Sequence, residues 1–364
     1  MTISSIPQTN GGPTTEKYEN GALPNAIHPD FLPRLDEDFV QYYNKYFAWK
    51  PPTHEINVRE IRSNPTKYNS PWERDYTGSS HIQDMQLLSH DGYEFKVRCY
   101  HPDAVKFGDG PYPLHVNFHG GGFVFGGLKG DAELCKLIQE NVGVLVLDVD
   151  YRLMPEHTFG DGHEDAWAVV RWLRDHSQDI NGDRDSISVG GISAGGAIAA
   201  VIQQLARDED IPLKLAFLAV PTTQSFGDLT SPLKSPYPSI AENALAPCLN
   251  WARLAYFRDV AFPRDPRALE AIAALPEFYR SPINGNMKGL CPTFVATAEL
   301  DPLRDEGEAY AEKLVEAGVK VTVRRYTGVP HPFMHMTPIQ KAALYAEDYC
   351  EAVRSAHRKV DVEG

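Results

Sequence analysis

From residue 82 onward, short apolar runs alternate with stretches in which apolar side chains recur every three or four positions. Ile82 to Leu88 and Tyr93 to Tyr100 flank Ser89-His90-Asp91-Gly92 and predict a hairpin. Leu114 to Phe118 predicts a strand that runs straight into glycines. Val142 to Val149 is so continuously apolar that it predicts a strand covered on both faces. Ser186 to Gly190, Leu213 to Val220, Pro292 to Thr297 and Val319 to Tyr326 predict further strands. Helical spacing occupies Glu164 to Asp175, Ala197 to Ala206 and stretches at about 305–317 and 337–356. Strands alternating with helices predict an α/β fold with a mostly parallel sheet and helices on both faces.

Two segments break that rhythm. Between Ile27 and about Arg74, aromatic residues cluster among charges, and Phe39, Tyr42, Tyr43, Tyr46 and Phe47 share one face of a helix predicted over Asp36 to Ala48. That helix either packs on the main domain or forms a lid. From Pro221 to Ile283 a Pro/Ser-rich loop leads into helical stretches over Leu245 to Arg258 and near Arg267 to Leu275, with no strand signal. The expected organisation is a mobile tail over 1–24, an N-terminal cap segment over 25–80, a core of 81–220 with 284–364, and a cap insertion over 221–283. Within the insertion, Trp251, Tyr256 and Phe257 are candidates for the wall of a substrate pocket, with plain core packing as the competing reading.

Composition removes several function classes. The 364 residues, 42% hydrophobic and 23% charged, describe a globular protein with ample core. No window approaches the run of about 20 apolar residues that a membrane helix needs, and the N-terminus lacks the basic start and apolar core of a signal peptide. A formal net charge of −14 disfavours nucleic acid and anionic membrane as partners. The five cysteines are odd in number, scattered and without a CxxC pair, so they read as reduced thiols of a cytoplasmic protein.

The chemistry concentrates at Gly191-Ile192-Ser193-Ala194-Gly195-Gly196, set between a strand and a helix. G-x-S-x-G in that context is a nucleophile elbow: the turn is tight, its flanks must be small, and the serine oxygen is pushed out at the sheet edge beside a helix N-terminus. A hydroxyl is a poor nucleophile until a base takes its proton and a third group orients the base. On this topology the acid follows a late strand and the histidine follows the last one. Asp301, after the strand Pro292 to Thr297, and His331, after the strand ending at Tyr326, fit that order; Glu299 and Asp305 are weaker acids and His335 a fallback base. Asp301 before Pro302 also reads as a helix N-cap. His119-Gly120-Gly121-Gly122 follows a strand and lets backbone N–H groups turn inward, so with the N–H of Ala194 it predicts an oxyanion hole. No Lys-Ser/Thr follows those glycines, which excludes a Walker-type phosphate loop. His157, Asp161, His163 and Glu164 could be drawn as a metal site but read better as a loop and a helix start.

The chain resembles the hormone-sensitive-lipase family of α/β-hydrolases, which includes carboxylesterases and arylacetamide-deacetylase-like enzymes. The matching pieces are His119 to Gly122, Asp150-Tyr151-Arg152-Leu153-Met154-Pro155-Glu156, Gly191 to Gly196, Asp301-Pro302-Leu303-Arg304-Asp305-Glu306-Gly307 and His331-Pro332-Phe333. The resemblance implies a triad of Ser193, Asp301 and His331, an oxyanion hole from Gly120, Gly121 and Ala194, and a homodimer through the last strand and helix. It departs from the family at Ile192, where an aspartate is frequent, and at Pro332, where a glycine is common. The expected function is hydrolysis of small or medium acyl or aryl esters through an acyl-enzyme, without metal or organic cofactor. Acyl transfer, cyclisation or elimination on the same fold, and a small-molecule binding protein, remain as alternatives.

Overall fold

A computed structural model of the chain describes residues 23–358, apart from 69, 226–228 and 263–264, so the tail expected over 1–24 lies almost wholly outside the described residues. Its centre is an eight-stranded sheet made of β1 (Ile82–Leu88), β2 (Glu94–Tyr100), β3 (Tyr112–Phe118), β4 (Leu145–Val149), β5 (Gly182–Ile192), β6 (Leu213–Ala219), β7 (Thr293–Ala298) and β8 (Val321–Tyr326). The spatial order is β1-β2-β4-β3-β5-β6-β7-β8. The β1–β2 hairpin and the β2–β4 pair are antiparallel, and all later neighbours run parallel. Strand order reverses between β3 and β5, which pair with Phe118 opposite Gly191. A crevice opens at such a reversal beyond the carboxyl ends of the strands. Here it brings together the glycines that follow β3 and the serine that follows β5.

Alternate positions of the strands feed two packing layers. Leu114, Val116 and Phe118 of β3 join Leu145, Leu147 and Val149 of β4 under the helices Asp161–His176, Ala194–Asp208 and Arg304–Glu316. Val146, Phe217 and Ala296 face the other way, onto the helices Ala132–Val142 and Gln340–His357. The N-terminal helix Glu37–Tyr46 adds Phe39, Tyr42 and Tyr43 to this second layer, where Phe39 and Tyr43 are fully enclosed. The segment between β6 and β7 contains only helices among its described residues.

Two boundaries differ from the sequence reading. The strand expected from Val142 begins at Leu145, because the preceding helix runs through Val142 and ends on Gly143 in the left-handed region, φ 78°. The helix expected from Leu245 begins at Trp251, capped by the Asn250 side chain on the N–H of Arg253, since Pro247 and the positive φ of Cys248, 68°, prevent helix before it.

The loop after β4 is tied down by a buried cation. Arg152 donates through Nε and Nη2 to Asp165 at 2.7–3.1 Å and through Nη1 to Asp91 at 2.6 Å, and Asp165 is fully buried. Removing one partner of such a pair leaves an uncompensated buried charge, typically costing about 3–5 kcal/mol. Asp165→Ala leaves Arg152 with Asp91 alone, so the unfolding free energy is expected to fall by up to that amount, read as a lower denaturant midpoint at unchanged m-value, and a loss under about 1 kcal/mol would mean that Asp91 and water already satisfy Arg152.

Under the amino end of β5, His115 bonds the hydroxyls of Ser188 (2.8 Å) and Tyr349 (3.0 Å), while His357 bonds those of Ser186 and Ser188, each at 2.8 Å. Burial holds the His115 imidazole down at about 3, and burial with nearby Lys214 holds His357 at about 4. Both rings are thus neutral in the fold but take a proton near 6.5 when unfolded. Their stabilisation is complete above pH 6.5 and is lost as pH falls towards 4. Melting temperature is expected to drop across that window, with a shallower slope in His357→Gln.

Candidate active site

Ser193 sits between β5 and the helix Ala194–Asp208 with φ 59° and ψ −116°, a conformation costing about 1–3 kcal/mol that the surrounding packing must hold. The flanks explain the glycines. A Cβ on Gly195 would lie 1.9 Å from the carbonyl oxygen of Phe118, and one on Gly191 would lie 2.4 Å from the backbone of Gly195. The Ser193 N–H donates to the carbonyl of Ala219 at 2.8 Å, fixing the turn to the end of β6. Its side chain caps nothing and stands at the helix N-terminus.

The glycine loop lies alongside. Gly121 has φ 135° and its carbonyl accepts from the N–H groups of Val124 and Phe125, closing the turn. Among the described residues, nothing accepts a hydrogen bond from the N–H of Gly120, Gly121 or Ala194. The loop is braced from below: Tyr151 stacks on the His119 ring at 4.2 Å and donates its hydroxyl hydrogen to the His119 carbonyl at 2.7 Å. Asn117, at the end of β3, donates to Asp131 and Asp148. Burial and the neighbouring Asp131 charge push the Asp148 carboxyl well above its usual value. Burial would raise Asp131 too, but hydrogen bonds from His335 and Asn117 outweigh it and hold that carboxyl low.

Asp301 and His331 meet. His331 Nδ1 lies 2.9 Å from Asp301 Oδ2, and both residues are buried. Asp301 is not the helix cap expected from the sequence: the helix starts at Arg304, and Asp301 instead accepts the N–H of Leu303 at 2.9 Å in a turn ahead of it. The competing groups are engaged elsewhere. Glu299 accepts the N–H of Gly328, Asp305 accepts that of Ser239 and pairs with Arg304, and His335 bonds Asp131 at 2.7 Å while stacking on Trp72.

A cavity opens beside Ser193, walled by Gly122, Phe123, Phe159, Leu254, Phe257 and Phe262, with Arg258 and Arg280 also on its border. Of the three aromatic residues singled out in the insertion, Phe257 belongs to this wall and Trp251 and Tyr256 do not. Leu254, Phe257, Arg258 and Ala261 share one face of the helix Trp251–Ala261, and Tyr256 points roughly 160° away from Arg258. Tyr256 stacks on Phe125 and its hydroxyl reaches the Ile56 carbonyl, while Trp251 packs beside Ile240 and Leu249 at the start of the helix.

The residues drawn as a metal site go separate ways: Asp161 accepts from Thr158, Glu164 accepts from Tyr279, and His163 lies among Phe123, Phe159 and Tyr279. No group of three or more His, Cys, Asp or Glu among the described residues is placed to hold a metal ion.

Sequence reasoning missed Glu306. Its buried carboxyl accepts the N–H groups of Thr223 and Gln224 and so holds the loop beyond β6 against the site. Burial pushes that carboxyl well above its ordinary value. Its place in the Asp301-to-Gly307 motif was the available signal. Phe159 and Arg280 lie in stretches with no motif at all.

Comparison with known proteins places the fold in a family. A family model described as alpha/beta hydrolase fold matches residues 115–335. The chain belongs to the hormone-sensitive-lipase-like family of α/β-hydrolases. The hydrolase is 37% identical over 269 residues to the carboxylesterase NlhH of Mycobacterium tuberculosis, covering 72% of this chain and 79% of that one. It is 33% identical to an arylesterase of Saccharolobus solfataricus, over 69% of this chain and 76% of the other. Among solved structures, a thermostable esterase from Pseudomonas putida superimposes with a TM-score of 0.75 at 27% identity, covering 90% of the hydrolase and 99% of its own chain. These relatives make carboxylic ester hydrolysis the activity class of the hydrolase. None of its helices, among the described residues, is long and apolar enough to cross a membrane.

Proposed function

We propose that the hydrolase cleaves esters of small or medium acyl or aryl groups through an acyl-enzyme on Ser193. His331 takes the serine proton as Ser193 Oγ attacks the ester carbonyl. Asp301 holds the imidazole in the tautomer with its proton on Nδ1 and stabilises the imidazolium that forms. The N–H groups of Gly120, Gly121 and Ala194 meet the negative charge on the tetrahedral oxygen, and losing one such donor costs about 2.7–4 kcal/mol of barrier. His331 then gives its proton to the departing alkoxide, which leaves as the alcohol. Water, activated by the same imidazole, releases the acid and restores the serine. The observation carrying this reading is the buried 2.9 Å His331–Asp301 hydrogen bond, formed between residues 30 positions apart at the sheet edge that also presents Ser193.

The apolar wall of Phe123, Phe159, Leu254 and Phe262 favours an acyl or aryl group over a polar one. A p-nitrophenyl ester series from acetate to decanoate is expected to show kcat/KM passing through a maximum at short to medium length. A fluorophosphonate probe is expected to leave one adduct, on Ser193, by peptide mass spectrometry. An adduct elsewhere, or none, would remove Ser193 as the nucleophile.

Cys99, Cys135, Cys248, Cys291 and Cys350 are all free thiols, which supports a reducing, cytoplasmic setting. Among the described residues β8 ends the sheet, and this edge supports pairing of two copies there, which sedimentation velocity reads.

A further inference from the structure

The cavity beside Ser193 is charged in a way that the chain as a whole is not. The formal net charge is −14, yet among the described residues the cavity is bordered by two arginines, Arg258 and Arg280, and by no carboxylate. The two differ. Arg258 is matched: its guanidinium pairs with Asp259 at 2.8 Å and donates to the Leu229 carbonyl at 2.5 Å. Arg280 ends the short helix Glu277–Arg280, half-buried, and its buried Nε has no hydrogen-bond partner. Nor does any described carboxylate lie within ion-pair distance of it. The carboxylate nearest in sequence, Glu277, accepts instead from Asn284, and Glu164 is taken by the Tyr279 hydroxyl.

A half-buried guanidinium with a buried, unpaired N–H is costly, because desolvation weakens its hydration and no protein acceptor replaces it. Nε is closed to water and so to a ligand, but the two Nη groups are not among the sealed atoms and meet no described acceptor; a carboxylate arriving with the substrate would pair with them and offset the charge. The cavity that Arg280 shares with Ser193 is lined mainly by Phe123, Phe159, Ala197, Leu254 and Phe262, with Thr222 and Gln224 also on its wall, which suits a largely hydrocarbon connection between the scissile ester and the anion. We infer that the hydrolase prefers esters that carry a free carboxylate on the same molecule, held by Arg280, such as half-esters of dicarboxylic acids. The inference rests on Ser193 being the reactive centre of this cavity, as proposed above. Arg280 acts as a specificity residue that touches substrate away from the scissile bond.

The test compares matched pairs on the full chain. On the acyl side the pair is mono-p-nitrophenyl adipate against p-nitrophenyl hexanoate; on the alcohol side it is 4-acetoxybenzoate against phenyl acetate, each corrected for spontaneous hydrolysis. In at least one pair the charged member is expected to have the higher kcat/KM. The charged-to-neutral ratio is expected to fall about 10- to 100-fold in Arg280→Gln and to recover in part in Arg280→Lys. A ratio unmoved by Arg280→Gln in both pairs, with both members slowed alike, overturns the inference. Calorimetric titration of Ser193→Ala with monomethyl adipate and with dimethyl adipate reads anion recognition without turnover. Tighter binding of the monoanion, lost on adding Arg280→Gln, supports the inference even if no ester is cleaved, and equal affinity overturns it. Failure to hydrolyse any p-nitrophenyl ester counts against the acyl-enzyme reading alone.

Discussion

Ser193→Ala is expected to lower kcat for p-nitrophenyl butyrate by about 10⁴- to 10⁶-fold, with KM changed only a few-fold. In the proposed mechanism Oγ forms the acyl bond, and the other aliphatic hydroxyls on the cavity, of Thr222 and Ser225, do not stand at the elbow beside the glycine loop. The rate that survives would come from the glycine-loop amides and the cavity, which polarise and position the ester without a covalent step. Alanine keeps the Cβ and the φ of 59° that the elbow already imposes, and Ser193 caps no backbone group, so melting temperature is expected to stay within a few degrees. Intact folding with collapsed kcat separates loss of the nucleophile from loss of structure. Retention of more than a tenth of wild-type kcat at an unchanged melting temperature would mean that the ester is attacked by water or by another group.

What the sequence made legible follows from where backbone geometry forces residue type. Gly191 and Gly195 are legible because a Cβ at either would strike backbone atoms of the elbow, and Gly121 because its φ of 135° suits no other residue. The central strands were readable because they lie buried on both faces, the exposed edge strands β1 and β8 by their β-branched and apolar runs between turns, and the parallel arrangement followed from alternation with helices. Legibility failed where two adjacent elements share one apolar run. Val142 continues the hydrophobic stretch of β4 yet closes the preceding helix, and Gly143 was the break that the run concealed. It failed again in the insertion. Trp251, Tyr256 and Phe257 all sit on one helix, but only its start at Asn250 decides which face meets Ser193, and that start depends on Pro247 and Cys248. The cavity wall is hardest of all, because Phe159, Phe262 and Arg280 come from separate loops and helices whose meeting is a property of the tertiary packing.

Asp301→Asn is expected to lower kcat about 10⁴-fold while leaving both KM and melting temperature close to wild type. The carboxylate has two duties: Oδ1 accepts the Leu303 N–H and Oδ2 faces His331 Nδ1, each at 2.9 Å. An asparagine that keeps its oxygen on Leu303 preserves the turn but presents an amide N–H to Nδ1. The imidazole can satisfy that donor only by turning a lone pair towards it, which moves its own proton to Nε2. In the proposed mechanism Nε2 accepts the serine proton, so the base would be disabled although every element stays in place. Asp301→Ala differs in kind, because it also removes the acceptor for Leu303 and is expected to lower melting temperature as well as kcat. No neighbouring acid stands ready to substitute, since Glu299 is committed to the Gly328 N–H and Asp305 to Ser239 and Arg304. An Asp301→Asn enzyme within tenfold of wild type would show that His331 is oriented by something other than this carboxylate, and the order of the triad along the chain would lose its chemical meaning here.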